Sequence, residues 1–284
     1  ISIWAKPLDA VWRPKGRKAL RLVMLDPPGY ADFYGQMVAA TRVADAALVV
    51  VDATAGVQVG TVRAWKRCEA LGLPRAIAIT GLDKENADFE GTVAALQDVW
   101  GARCEVVTFP TDDKKGVVDA LAAAGAKADE IRARLTDAAA ESSDALIEKV
   151  LNGETLSADE LSGGLRSAVA QAKFIPIFAL MARQSVGLDE LLSGFARLMP
   201  SPADRPAKDA DGKDVNPAAD APLVAQVWRS INDPFVGQLT VARIWGGTLK
   251  EKTEVFNAVK EQKESVGAVY FLNGKKSETV PEAQ

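Results

Sequence analysis

The sequence predicts an α/β protein in which a mostly parallel sheet carries helices on both faces and a partial antiparallel β-barrel follows. Three observations predict this fold class. Short strand-like runs alternate with helix-like segments up to about residue 200, a segment rich in Pro, Asp and Ala then breaks the alternation, and short β-branched runs separated by turn signals come after it. Alternating strands and helices indicate parallel strands joined by crossover helices.

The first part of the chain contains the strand-like runs "LRLVML", "AALVVVD", "RAIAIT", "CEVVTF" and "FIPIFAL". The segments between them have helical periodicity and helix-ending residues, as in "TVRAWKRCEALGLP". From 127 to 172 the pattern is helical throughout, and Ser157 followed by Glu160 predicts a capped helix start. We therefore predict an α/β domain at 1–200 that includes extra helices at about 127–172.

The composition changes in "PSPADRPAKDADGKDVNPAADAP", which predicts a linker at 201–221 because it is rich in Pro and Asp and has no periodicity. After it come "LVAQVWRS", "GQLTVARIW", "TEVFNAV" and "ESVGAVYFL". Short strands at a spacing of roughly ten residues are typical of a small antiparallel barrel. We place this partial barrel at 222–284.

Composition and charge exclude several classes of function. With no histidine among the 284 residues, imidazole is absent as a general base and as a metal ligand. The formal net charge of -4 argues against non-specific nucleic-acid binding through overall charge, and leaves only a local basic face to meet a ribonucleoprotein. No apolar run approaches the roughly 20 residues of a membrane-spanning helix.

The cysteines and the first residues of the chain indicate the cellular compartment of the protein. Cys68 and Cys104 have no metal-binding spacing, so we interpret them as apolar core residues of a reduced protein. The opening "ISIWAKPLDAVW" has none of the three regions of an export signal. We expect a cytoplasmic protein that has no membrane partner.

Polar and small residues follow three of the predicted strands, in "LDPPGYADF", "AIAITGLDKENADF" and "PIFALMARQSVGLDELL". In open α/β sheets, ligands bind outside the carboxyl ends of the strands. We therefore expect these segments to converge around one cleft. The candidate binding residues are Asp26, Pro27, Pro28, Gly29, Tyr30, Thr80, Gly81, Leu82, Asp83, Met181 and Ala182.

Each polar candidate also has a purely local interpretation. Asp26 is equally suited to cap the turn that follows it, and Asp83 to cap the "ENADF" helix. Taken alone, Ser2 is a surface hydroxyl, and Tyr30 is an aromatic side chain packed at a loop edge. The joint order of the segments on strand ends is what favours a ligand site.

That order resembles the translational GTPases, most closely elongation factor G and its bacterial elongation-factor-G-like relatives. "ISI" is similar to the end of the family's first switch, "LDPPGYADF" to its D-x-x-G segment and "TGLDKENADF" to its N-K-x-D segment. "DALIEKVLNGETLSADELSGGLRSAV" resembles the family's insert helices, and "INDPFVGQLTVARIWGGTLKEKTEVFNA" its second, barrel domain. The resemblance extends over essentially the whole chain.

The resemblance implies a site for GTP and Mg²⁺. Asp26 would hold the metal through water, Ser2 would coordinate it directly, and the Gly29 amide would bind the γ-phosphate. Asp83 would accept two hydrogen bonds from the guanine edge. Ala182 would donate its amide hydrogen to the guanine carbonyl.

The sequence departs from the family pattern at the base-recognition loop and the switch. Thr80 and Gly81 stand where the family has Asn and Lys, and each lost contact is expected to cost about 1–3 kcal/mol. Pro27 replaces the usual Thr of D-T-P-G, and Met181 the serine of the S-A loop. Tyr30 stands where elongation factor G has the histidine that positions water, which makes it the candidate catalytic residue.

No G-x-x-x-x-G-K-[ST] motif occurs in the sequence, and the family has this phosphate loop ahead of the segment that resembles "ISI". We expect a fragment of a longer protein, cut at both ends. Because that loop supplies most of the contacts to the phosphates, we also expect weak GTP binding and no hydrolysis above background by these residues alone.

The resemblance implies GTP binding and hydrolysis coupled to ribosomal translocation, by a monomer that contacts rRNA and ribosomal proteins. A second possibility is a nucleotide-poor relative that binds the ribosome without GTP turnover. A third is a ribosome-protection or peptide-release relative.

Overall fold

The structure is a computed structural model that describes residues 4–14, 19–209, 211–233 and 237–284. Its contacts divide the chain into two compact units. The α/β unit comprises Trp12–Leu20 and Ala44–Pro200. The β unit comprises Ile1–Val11, Arg21–Val43 and Ser201–Gln284.

The helices of the described residues are α1 Tyr34–Thr41, α2 Val59–Ala70, α3 Phe89–Trp100, α4 Ala126–Ala140, α5 Asp144–Leu151, α6 Ala158–Ala170 and α7 Leu188–Leu198. The strands are β1 Lys6–Trp12, β2 Leu20–Asp26, β3 Ala47–Asp52, β4 Arg75–Thr80, β5 Cys104–Val106, β6 Thr108–Pro110, β7 Val117–Asp119, β8 Ile175–Ala179, β9 Val224–Asp233, β10 Gly237–Gly246, β11 Leu249–Lys250, β12 Glu254–Asn257, β13 Gln262–Ser265, β14 Val269–Asn273, β15 Lys276–Val280 and β16 Glu282–Ala283.

The α/β unit is built on a four-stranded parallel sheet with the strand order β3-β4-β8-β5. Every residue of β8 is buried, as are the first five residues of β4, because helices flank the sheet. Short, continuously apolar strands of this kind are typical of parallel sheets with covered faces. The predicted fold class is confirmed.

Close packing fixes how two helices lie in this unit. A Cβ atom at Gly194 of α7 would fall 2.2 Å from a ring carbon of Phe178 in β8, so only glycine lets the helix approach the sheet so closely. A Cβ atom at Gly164 of α6 would fall 3.0 Å from the Cβ of Ala139 in α4. Phe178 and Ala139 both belong to the buried core of this unit, which also includes Leu135.

The helix starts follow local capping rules. Ser157 caps α6, since its hydroxyl accepts a hydrogen bond from the Glu160 amide while the Glu160 carboxylate accepts one from the Ser157 amide. This predicted cap is confirmed. The Asp88 carboxylate accepts a hydrogen bond from the Gly91 amide at 2.8 Å and so caps α3.

One predicted strand lies in a different place. The run "LRLVML" forms β2, but β2 pairs with β1 in a two-stranded sheet and, from Arg21 onward, belongs to the β unit. The prediction that it is a strand of the parallel sheet is wrong. Val23 and Met24 are 61% and 44% exposed, whereas a central parallel strand is buried on both faces.

The C-terminal part consists of antiparallel strand pairs. β9 pairs with β10, β11 with β16, β12 with β13, and β14 with β15. The segment at 201–221 belongs to the β unit together with these strands, and its Val215 is buried. The domain boundaries at 1–200, 201–221 and 222–284 remain predictions.

Candidate functional site

Three strands of the parallel sheet end side by side. Asp52, the last residue of β3, is in register with Thr80, the last residue of β4, and the Ala53 amide donates to the Thr80 carbonyl at 2.8 Å. The Leu180 amide, just after β8, donates to the carbonyl of Ile79 at 2.9 Å. The loops that follow β3, β4 and β8 therefore lie along one edge of the sheet. This carboxyl edge is where ligands bind in open α/β sheets.

The loop after β4 presents Asp83 to solvent. Gly81 has a φ of +73°, a left-handed conformation that favours glycine, and its carbonyl accepts from the Lys84 amide at 3.1 Å. Leu82 is buried and anchors the loop, while Asp83 is exposed. The loop thus projects the carboxylate of Asp83, which has no hydrogen-bond partner among the described residues, at the edge where the guanine base is predicted to bind.

Asp52 lies at the same sheet edge as the predicted site and was not among the residues predicted from the sequence. Its Oδ1 accepts hydrogen bonds from the amide and hydroxyl of Thr54, at 2.9 and 2.7 Å, and its Oδ2 forms an ion pair with Lys84. The hydrogen bond from Lys84, followed by those from Thr54, lowers the pKa of Asp52 to about 2. Two sequence features could have identified this ion pair: an aspartate ends the apolar run "ALVVVD", and a lysine directly follows Asp83.

The loop after β8 is closed by its own backbone hydrogen bonds. The Met181 amide donates to the Val186 carbonyl at 2.9 Å, and the Val186 amide donates back at 3.3 Å. Ser185 has a φ of 58°, which lets the chain turn within this short loop. Met181 is fully buried, whereas Ala182 is exposed, and in the described part of the chain no backbone acceptor takes up the Ala182 amide.

The structure places part of the predicted site together. Thr80, Gly81, Leu82 and Asp83 lie on the same sheet edge as Met181 and Ala182. Asp26, Pro27, Pro28, Gly29 and Tyr30 belong to the β unit. Ser2 lies outside the described residues.

Three local alternatives are resolved by the geometry. Asp83 does not cap the following helix, because Asp88 does. Tyr30 is 61% exposed, so it is not packed at a loop edge. Among the residues that the structure describes, no donor contacts the carboxylate of Asp26, which leaves it without the predicted capping hydrogen bond.

The predicted magnesium site is incomplete in the described residues. No group of three or more Cys, Asp or Glu side chains lies close enough there to hold a metal ion. Of the two predicted metal ligands, Ser2 is not described, which leaves the single carboxylate of Asp26. These residues alone do not fit Mg²⁺.

A parallel sheet with exposed polar loops at its carboxyl edge is typical of α/β domains that bind a ligand at that edge. Residues 9–201 match the family model described as the elongation factor Tu GTP binding domain. Since the match covers more than half of the chain, this chain belongs to that family of GTP-binding domains.

The fold is also similar to a solved structure. The crystal structure of ttk003000868 from Thermus thermophilus superposes with a TM-score of 0.82 at 28% sequence identity. The match covers 99% of this chain and 43% of that chain, so this chain spans less than half the length of its structural relative. Among the described helices, none has the length and apolar character needed to cross a membrane.

Proposed function

We propose that this chain is the GTP-binding part of an elongation-factor-G-like protein, in which GTP hydrolysis is coupled to translocation on the ribosome. The observation that carries the proposal is the family match over residues 9–201. In this assignment α4, α5 and α6 are the insert helices of the GTPase domain, and the antiparallel strands that follow Pro200 are part of a barrel domain.

The guanine base is the part of the ligand that the described residues suit best. The guanine edge carries two adjacent N–H donors and one carbonyl acceptor. The exposed Asp83 carboxylate accepts from the donors, and the Ala182 amide donates to the carbonyl. Adenine has its donor and acceptor in the opposite arrangement, so the same pair of groups discriminates against it.

Asp26, Gly29 and Tyr30 are the residues that we propose for the phosphate end of GTP. Asp26 and Gly29 are assigned to it by resemblance alone, and Tyr30 is assigned to the attacking water because its exposed phenol can donate a hydrogen bond. The ribosome, through rRNA and ribosomal proteins, is the proposed partner. A cytoplasmic location agrees with this partner.

Ribosome-stimulated GTP hydrolysis by the protein that contains this chain tests the proposal. We expect hydrolysis to increase when ribosomes are added, and Asp83→Asn to reduce it with GTP but to restore it with xanthosine triphosphate, whose base presents an acceptor to the new amide. Asp98→Asn, an exposed carboxylate on α3, is the matched control and should leave the rate unchanged. Absence of ribosome-stimulated hydrolysis would contradict the proposal.

A nucleotide-poor ribosome-binding relative is the second candidate, and one observation favours it. Thr80 and Gly81 supply neither the amide nor the lysine stem that the family uses around the base. In that case the protein should bind ribosomes equally well with and without GTP. Co-sedimentation with ribosomes in the presence of GTP, GDP or no nucleotide separates the two candidates.

A further inference from the structure

We propose that the ion pair between Asp52 and Lys84 holds the base-recognition loop, residues 80–84, in the conformation that presents Asp83 to a guanine base. This inference rests on the proposed function and deepens it, since it names the residues that position the base-reading carboxylate. Both are positioning residues, because neither is placed against the nucleotide itself.

The ion pair ties the far end of the loop to the end of β3. The near end is already fixed, since the Ala53 amide donates to the Thr80 carbonyl at 2.8 Å. Lys84 directly follows Asp83, and its ammonium group contacts Oδ2 of Asp52. The loop is therefore held at both ends by two neighbouring residues, Asp52 at the end of β3 and Ala53 directly after it, with Asp83 one residue from the second attachment.

The geometry at Gly81 connects this ion pair with a departure from the family pattern. A Cβ atom at residue 81 would lie 3.1 Å from Oδ1 of Asp52, 3.2 Å from Cε of Lys84 and 3.3 Å from Nζ of Lys84. The two charged side chains thus fill the space beside residue 81. A side chain there, such as the lysine of N-K-x-D, competes with the ion pair for that space, and glycine leaves the space to Lys84.

The hydrogen bonds and the ion pair of Asp52 fix the orientation of its carboxylate. Its second oxygen is occupied by the amide and hydroxyl of Thr54, so the carboxylate is oriented from both sides. The hydrogen bonds that lower its pKa to about 2 keep it charged at neutral pH. A charged and oriented carboxylate is what a lysine needs as a stable partner.

The solvent exposure of the ion pair predicts which measurement its removal should change. The side chains of Lys84 and Asp52 are 43% and 36% exposed, and ion pairs at such sites contribute little to global stability. A positioning role should therefore change nucleotide selectivity while the unfolding temperature stays nearly constant. A merely structural role would change the unfolding temperature and leave selectivity as it is.

The experiment measures the ratio of GDP to ADP affinity by NMR titration at high nucleotide concentration, with thermal unfolding as a second readout. We expect Lys84→Met and Asp52→Asn each to reduce this ratio by about five- to tenfold, and the double variant to reduce it no further. Lys84→Arg should retain most of the selectivity. Lys127→Met, which removes a comparable exposed ion pair with Glu90 in the same unit, is the control and should leave the ratio unchanged.

Three outcomes of this experiment would overturn the inference. A ratio that stays at the unsubstituted value in Lys84→Met overturns the inference and leaves the proposed function standing. Equal losses in Lys84→Met and Lys127→Met also overturn it, because the effect is then not specific to the loop. If the unsubstituted protein shows no preference for GDP over ADP, the proposed function fails and this inference fails with it.

Discussion

The guanidinium group of Arg75 stacks on the indole ring of Trp65, with 4.3 Å between the guanidinium carbon and the ring centroid. Arg75 is the first residue of β4, at the end of the strand opposite to the base-recognition loop, and it is 1% exposed. Its Nε and Nη1 atoms have no hydrogen-bond partner among the described residues, and burial lowers its pKa. The aromatic face of Trp65, itself stacked on Trp100 at 4.2 Å, therefore stabilises a buried cation.

This relationship predicts energetic coupling between the two residues. Trp65→Ala should lower the free energy of unfolding by about 4 kcal/mol, since it removes a buried aromatic side chain. In an Arg75→Met background the same change should cost about 1 kcal/mol less, because no buried cation then loses its aromatic partner. Urea unfolding of the unsubstituted protein, the two single variants and the double variant, monitored by circular dichroism, gives the coupling energy. Additive losses would contradict the prediction.

Gly81 should resist substitution because of its backbone and its surroundings. Gly81→Ala forces a side chain into a conformation with a φ of +73° and brings a Cβ atom against Asp52 and Lys84. We expect it to lower the free energy of unfolding by about 1–2 kcal/mol. Gly163→Ala is the matched control: it lies within α6 with no atom near its Cβ position, and it should stabilise by about 0.5–1 kcal/mol. Equal effects of the two changes would show that position 81 is unconstrained.

Asp52 should contribute stability that depends on pH. Its pKa is lower in the folded protein, about 2, than its ordinary value of 3.8, so its contribution is present above the ordinary value and is lost as the pH falls toward 2. Between about pH 5 and pH 2 the unsubstituted protein should therefore lose more stability than Asp52→Asn. The difference is small because the pair is partly exposed, and added salt should reduce it. Parallel acid-unfolding curves would argue against the ion pair.

The cap of α6 offers a test of local helix stability. Ser157→Ala removes a hydrogen bond at the helix start and should lower the free energy of unfolding by about 1 kcal/mol. Ser143→Ala is the control, because Ser143 precedes α5 but makes no capping hydrogen bond with its side chain. Chemical unfolding of both variants measures the difference. A larger loss for Ser143→Ala would contradict the assigned cap.

The sequence predicted those features that depend on neighbouring residues. The parallel strands follow from continuous apolar runs, and the cap at Ser157 from the glutamate three residues later. The pairing of β2 with β1 was missed because an apolar run does not reveal which strand is its neighbour. The ion pair of Asp52 and Lys84 joins residues 32 positions apart, and only the alignment of β3 with β4 brings them together.

Recognition of guanine by Asp83 is the central claim, and one titration tests it most directly. We expect Asp83→Asn to weaken GDP binding by about tenfold or more, because two charge-assisted hydrogen bonds are lost, and to strengthen binding of xanthosine diphosphate. Both nucleotides are titrated into the unsubstituted protein, Asp83→Asn and the control Asp98→Asn under identical conditions. An exchange of preference from guanine to xanthine in Asp83→Asn alone is the predicted result. Unchanged GDP affinity in Asp83→Asn would contradict the account.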